Sequence, residues 1–261
     1  MRGFIGEDVA ELRKRAVFKF GSDVVTNEQG IDQVRVDSHA ARILQYTEDH
    51  NISELIVSSG SVKTGRAEAP EIDDDQVLAG LGAAAVFMAW KQASKPLGRR
   101  ASMVTATDYQ ISDPGEGSAF RKALLKDLNL GIIPIFNTND KLNEEELQKR
   151  PWKGENDGPA AHIAILIGAD ALFLMTEKNG LFNDDGDTIN TVAYDLEVRR
   201  ETLDMVLKRG PEFQGIAAKV KAGFEATDHG IEVFIAGADE SFHDIVAGNS
   251  GTRLAPKPQD M

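Results

Sequence analysis

Three lysines sit in surroundings that suit phosphate chemistry. Lys19 ends an apolar run, Phe18-Lys19-Phe20-Gly21-Ser22; Lys178 follows another, in Thr176-Glu177-Lys178-Asn179-Gly180; Lys219 lies in a helical pattern that opens at Gly215. Lone lysines are rarely interior. Beside the unobstructed amides of Gly21 and Ser22, or near a helix N-terminus, a lysine makes a cradle for phosphate oxygens. Two Asn-Asp pairs lie between these lysines: Asn139-Asp140, two residues after Asn137 at the close of an apolar run, and Asn156-Asp157 at the start of the next. Such pairs can bind a substrate amine, fix a lysine or coordinate a metal. They also serve as turns and helix caps. Ser58-Ser59-Gly60-Ser61 ends a further apolar run and offers hydroxyl and amide donors to an anion.

Other patterns fail on context. Gly60 to Ala67 nearly spells a phosphate loop, but Arg66-Ala67 stands where Lys-Ser/Thr is required. Gly80-Leu81-Gly82-Ala83-Ala84-Ala85 has dinucleotide-loop letters, yet Asp73-Asp74-Asp75-Gln76 before it is no buried strand. Those glycines are expected to permit close helix packing. The five histidines are scattered, which argues against a zinc site and a Ser-His-Asp triad.

The elements that must position these residues alternate along the chain. Apolar runs at 16–20, 55–57, 101–105, 132–136, 171–175 and 231–235 read as strands, with a short extra one at 188–193. Helical patterns cover 37–50, capped by Asp37, then 76–93, 119–128, 159–167 and 215–227. The tail after Leu254 is expected to fray. This order predicts an α/β protein, a three-layer α-β-α sandwich on a mainly parallel sheet. One domain over 1–261 is expected, with a substrate lobe at 16–168 and a nucleotide lobe at 169–254.

Composition narrows the partners. A net charge of −13 over 261 residues repels nucleic acid and anionic membrane, so neither is an expected partner. No uninterrupted apolar run approaches the roughly 20 residues that span a bilayer. The N-terminus lacks a signal-peptide core, and cysteine is absent, in keeping with a cytoplasmic protein.

Taken in order, the segments resemble the amino acid kinase family, and within it the glutamate 5-kinases. They are Lys19-Phe20-Gly21-Ser22, Ile56-Val57-Ser58-Ser59-Gly60-Ser61, the run from Ile133 to Asp140, Gly154-Glu155-Asn156-Asp157, Thr176-Glu177-Lys178-Asn179-Gly180, and Gly215 to Lys219. The resemblance runs from about Ala16 to Leu254. It implies a catalytic domain without the RNA-binding-like PUA domain of many bacterial members. It also implies ATP and Mg2+ as cofactors, a small-molecule amino acid as acceptor, and a homo-oligomer, dimer or tetramer. Lys19 and Lys219 would neutralise the transferring phosphoryl group, and Asp157 would orient both. Ser58, Ser59, Gly60, Asn137, Asp140 and Asn156 would bind the acceptor. Gly21, Ser22, Thr176, Glu177, Lys178 and Gly215 would hold the nucleotide. The metal would bridge phosphate oxygens, with no all-protein ligand cage.

Four positions depart from the family pattern. Thr138 replaces a glutamate, Ala83-Ala84 a Gln-Ser pair, Glu212-Phe213-Gln214 a glycine-rich stretch, and Asp23 a small serine. The expected reaction is phosphorylation of the glutamate side-chain carboxylate. The departures keep two rivals open: a relative acting on another carboxylate, phosphate or phosphonate, and a non-catalytic ligand-binding relative.

Overall fold

The computed structural model describes residues 13–107, 110–111, 114–138, 156–210 and 213–258. Ten strands are seen among them: β1 (Lys14–Phe20), β2 (Thr26–Asn27), β3 (Gly30–Ile31), β4 (Ile52–Ser58), β5 (Arg100–Ala106), β6 (Ile132–Thr138), β7 (Ala171–Thr176), β8 (Thr191–Val192), β9 (Glu232–Gly237) and β10 (Thr252–Leu254). The helices are α1 (Ser22–Val25), α2 (Gln33–Asp49), α3 (Ser61–Glu68), α4 (Asp75–Ser94), α5 (Pro114–Asn129), α6 (Asp157–Ile167), α7 (Leu196–Lys208), α8 (Gln214–Asp228) and α9 (Phe242–Ala247). Eight strands form one sheet in the order β5-β6-β4-β1-β7-β9-β10-β8, and β2 and β3 make a separate hairpin. The six strands from β5 to β9 are parallel; β10 runs antiparallel to β9, and β8 parallel to β10.

The sheet is covered on both faces because its strands are apolar at successive positions. In β1, Val17 and Lys19 point to one face, Phe18 and Phe20 to the other. On the phenylalanine side, Phe18 is in register with Phe173 and Phe173 with Phe234. The three rings stack at 4.8 and 5.0 Å, and Phe242 closes the ladder edge-on. On the other side, α6 and α8 lay alanines over the sheet (Ala160, Ala161, Ala164, Ala217, Ala222), α6 against β1 and β7 and α8 against β7 and β9.

The glycines of 80–85 behave as expected in part. A Cβ on Gly82 would lie 2.1 Å from the Ser61 carbonyl oxygen, and one on Gly65 2.0 Å from that of Leu78. Helices α3 and α4 therefore touch backbone to backbone, while Gly80 is exposed. Among the described residues, α4 is the one helix long and apolar enough to cross a membrane. Leu78, Ala79, Val86, Ala89, Trp90 and Ala93 are nevertheless buried, a core pattern.

Local chemistry moved several boundaries. Helix α2 begins at Gln33, because Asp32 and not Asp37 accepts from the Val34 and Arg35 amides. Asp37 instead accepts from the Gln33 side chain. The extra strand shrinks to β8 plus a bridge between Phe182 and Thr188. The tail does not fray at once: Ala255 N–H donates to Val192 O and Lys257 N–H to Thr227 O, both at 2.9 Å.

Candidate active site

The middle of the sheet sets the place. From β1 the chain steps to β4 on one side, while β7 lies on the other. The loops leaving the carboxyl ends of these strands diverge and leave a crevice, as open α/β sheets do where strand order switches. Lys19 and Thr176 sit at those ends.

Lys19 is 1% exposed and would be a lone buried cation without a partner. Its partner is Asp157, itself 0% exposed, in the first turn of α6. Lys19 Nζ lies 2.7 Å from Asp157 Oδ1, and Lys219 Nζ donates to Asp157 Oδ2 at 3.1 Å. One carboxylate thus holds two ammonium groups, one from a strand and one from α8. The α6 N-terminus adds its own positive field to Asp157. The arrangement fixes two positive charges, one on each oxygen of a buried carboxylate, suited to stabilising negative charge that develops nearby.

Three cavities meet here. The first, about 80 Å3, is lined by Lys19, Gly21, Ser22, Ser59, Glu177 and Lys219. Met175 and Thr176 of β7 also reach it. At Gly21 an added Cβ would stand 3.9 Å from Lys19 Nζ, so the residue borders the lysine head directly. The second, about 90 Å3, is lined by Ser22, Ser59, Gly60, Ser61, Asn137 and Asn156. Gly60 adopts φ 108°, left-handed backbone that lets β4 turn sharply into α3. Asn137 Nδ2 donates to Ser58 O at 2.8 Å and to Ser61 Oγ at 3.0 Å; Asn156 Nδ2 donates to Ser58 O at 3.5 Å. Ser58 lines none of the three cavities; its Oγ donates to Ser59 O, and its carbonyl anchors both asparagines.

The third is a cleft of about 1030 Å3. Its walls combine polar residues (Thr176, Glu177, Lys178, Gly215, Lys219) with apolar ones (Leu181, Phe182, Val206, Phe213, Ile216). Lys178 Nζ sits 5.7 Å from the Phe213 ring centroid and Arg209 Cζ 5.9 Å. Arg209 also donates to the Phe182 and Asn183 carbonyls at 2.6 and 2.7 Å.

The structure therefore brings together Lys19, Lys219 and Asp157, with Gly21, Ser22, Ser59, Gly60, Asn137, Asn156, Thr176, Glu177, Lys178 and Gly215 around them. Asp140 lies outside the described residues. Sequence reading missed Arg209 and Phe213 as cleft residues. An arginine just after a helix carries no motif, and Phe213 was marked only as a departure. It missed Lys63 too, which lines the second cavity.

Residues 14–237 match the amino acid kinase family. The chain belongs to that family. This kinase, an ATP-dependent phosphotransferase, is 28% identical to glutamate 5-kinase of Syntrophotalea carbinolica, over 98% of this chain and 71% of that protein. It is 30% identical to glutamate 5-kinase of Dehalococcoides mccartyi (93% and 69%) and to that of Burkholderia cenocepacia (95% and 69%). Among solved structures, the kinase resembles carbamate kinase of Giardia, with a TM-score of 0.68 and 11% identity over 94% of this chain and all of that one. UMP kinase of Ureaplasma parvum superposes with a TM-score of 0.61 and 16% identity over 93% and 100%. These two likenesses bear on the fold, a helix-flanked, mainly parallel sheet.

Proposed function

We propose that this kinase phosphorylates the side-chain carboxylate of L-glutamate. A carboxylate oxygen attacks the γ-phosphorus of ATP, the bond from that phosphorus to the β–γ bridging oxygen breaks, and glutamyl 5-phosphate and ADP leave. This would be a first step towards proline. The observation that carries the reading is the Asp157 bridge between Lys19 and Lys219, beside one cavity of acceptor size and one cleft of nucleotide size. Phosphoryl transfer needs placement and charge rather than a protein nucleophile. Lys19 and Lys219 neutralise the moving phosphoryl group, and Asp157 keeps them charged and aimed.

The acceptor occupies the cavity of Ser59, Gly60, Asn137 and Asn156, with Asp140 taking its ammonium. In this reading 16–168 forms the acceptor lobe and 169–254 the nucleotide lobe. The apolar side chains of the cleft take the adenine, and Lys178, Gly215 and the Gly21 and Ser22 amides take the phosphates. Among the described residues no group of three or more His, Asp or Glu side chains could hold a metal ion. Mg2+ would be held by phosphate oxygens and water, with Asp23 and Glu177 the carboxylates on the wall of that cavity, and would supply further charge neutralisation. The kinase is read as a cytoplasmic homo-oligomer. Exposed Val77, Leu81 and Met88 on one face of α4, beside Met103 of edge strand β5, support self-association.

The test is ADP release with a panel of amino and organic acids, with hydroxylamine trapping acyl phosphate. Hydroxamate with glutamate supports the reading. Turnover with another acid alone moves the acceptor, a reading favoured by Thr138 and by Ala83-Ala84. ATP binding with no turnover on any acid would replace the enzyme by a ligand-binding relative. Lys219→Ala should abolish turnover while leaving the fold intact by circular dichroism.

A further inference from the structure

Asp23 and Lys63 pair across the point where the cavities meet. Asp23, in α1, lines both the Lys19–Lys219 cavity and the large cleft. Lys63, on α3, lines the cavity of Asn137 and Asn156. Ser22 and Ser59 line both small cavities, so the two abut. Lys63 Nζ donates to Asp23 Oδ1 across that junction. The main chain of α1 is pinned from outside, because Arg35 Nη1 donates to Asp23 O at 2.8 Å and to Thr26 O at 3.2 Å. The Asp23 carboxylate is therefore held on the wall of the phosphate cavity.

That position poses a charge problem. Lys19 and Lys219 already share Asp157. A polyphosphate entering beside Asp23 would meet a further negative charge and be repelled by it. We propose that Lys63 neutralises Asp23 and so makes the phosphate cavity receptive to a nucleoside triphosphate. Lys63 is then a positioning residue: it acts through Asp23, not on the acceptor whose cavity it borders. This rests on reading the cleft as the nucleotide site. With side chains 50% and 59% exposed, the pair adds little to stability, so its effect belongs in binding.

The experiment is calorimetric ATP binding, with Mg2+, to the wild type, Lys63→Ala, Asp23→Asn and the double variant, with Tm measured for each. Lys63→Ala should weaken ATP binding by about ten-fold at low salt, and by less at high salt, where screening shortens the repulsion. The double variant should return to within about three-fold of wild type, because the offending charge is gone. Asp23→Asn alone should bind ATP at least as tightly as wild type. Unchanged affinity in Lys63→Ala overturns the proposal, as does a double variant as weak as Lys63→Ala. Weaker binding in Asp23→Asn overturns it too, since the carboxylate would then be needed in its own right. A Lys63→Ala enzyme with only its acceptor KM raised would place Lys63 on the acceptor instead. No acceptor enters the binding measurement. A wild type that gives no hydroxamate therefore sinks the glutamate reading alone, and one that binds no ATP sinks both.

Discussion

Asp157 Oδ1 lies 2.7 Å from Lys19 Nζ, and both side chains are sealed from solvent. A buried carboxylate and ammonium this close are costly to separate, because each would be left charged and unsolvated. Asp157→Asn removes the anion from between Lys19 and Lys219 and leaves two like charges facing each other. The expected loss is about 3–5 kcal/mol of stability, with kcat down by about 100-fold or more. Thermal unfolding and single-turnover kinetics check the two parts. A variant with wild-type kcat would put the chemistry elsewhere.

Two glycines two residues apart should respond in opposite directions. Gly82→Ala forces a methyl to within 2.1 Å of the Ser61 carbonyl oxygen, so α3 must move. A loss of about 3 kcal/mol is expected, with acceptor KM rising more than ATP KM because Ser61 borders the acceptor cavity. Gly80 is exposed in mid-helix, and Gly80→Ala should add about 0.5–1 kcal/mol by helix propensity. Equal destabilisation of both would refute the close α3–α4 contact. Chemical denaturation of the two variants decides it.

Glu54 predicts a pH dependence far from the active site. It starts in β4 at the strand end opposite Ser58 and is 1% exposed. Burial raises its pKa from 4.5 to about 7, against the pull of Arg99, whose Nη2 lies 2.5 Å from Oε1. A carboxyl whose pKa is raised on folding costs stability once ionised. The fold is therefore favoured near pH 4.5 by this group, and that advantage declines as pH rises to about 7. Glu54→Gln should flatten stability between those pH values, relieving about 3 kcal/mol at pH 8. Urea unfolding across the pH range checks this. An unchanged slope in the variant would show that the carboxyl titrates normally.

His39 predicts the opposite sign. It is buried, its Nδ1 accepts from Arg42 Nη2 at 2.7 Å, and its Nε2–H donates to Val24 O in α1 at 2.8 Å. Arg42 continues to Ala238 O at 2.5 Å, so the pair ties α1 to the loop after β9. Burial first, and Arg42 after it, hold the His39 pKa below 6.5, although the bond to Val24 O opposes them. Its contribution is present above about pH 6.5 and lost as pH falls through the lowered value. Protonation sets a cation against Arg42 and frees α1. ATP binding should weaken in acid, with His39→Ala weaker at neutral pH and less pH-sensitive. Binding titrations at pH 5.5 and 7.5 distinguish this from a wild type indifferent to pH.

Much was legible before any tertiary contact was known. Local signals were sufficient for the parallel core: apolar runs of strand length, a lysine at the end of one, Gly-Ser turns after two, and an all-apolar helix behind Asp157. Each depends on residues close in sequence, where propensity and burial pattern act directly. The cap of α2 was misread for the same reason, since Asp32 and Asp37 both suit a cap and only backbone geometry selects between them. Helix α7 was missed although Asp195 caps it and Lys208 closes it, and the tether of the tail carried no local signal.

The chemistry required contacts over distance. Lys219 and Asp157 are 62 residues apart, and Lys19 lies on a different element from both. Their meeting follows from strand order, with β1 between β4 and β7 and α6 and α8 packed over the face that Lys19 shares with Val17. Asp23 and Lys63 are separated by 40 residues and meet only because α1 and α3 leave adjacent strands. Sequence by itself determined which residues could carry phosphate chemistry, since residue type and local pattern are enough to place a lysine at a strand end. That Asp157 serves both lysines was implied by the family resemblance and not by local pattern; only the tertiary structure put these charges in contact, because a buried charge takes the partner that the packing of distant elements brings within reach.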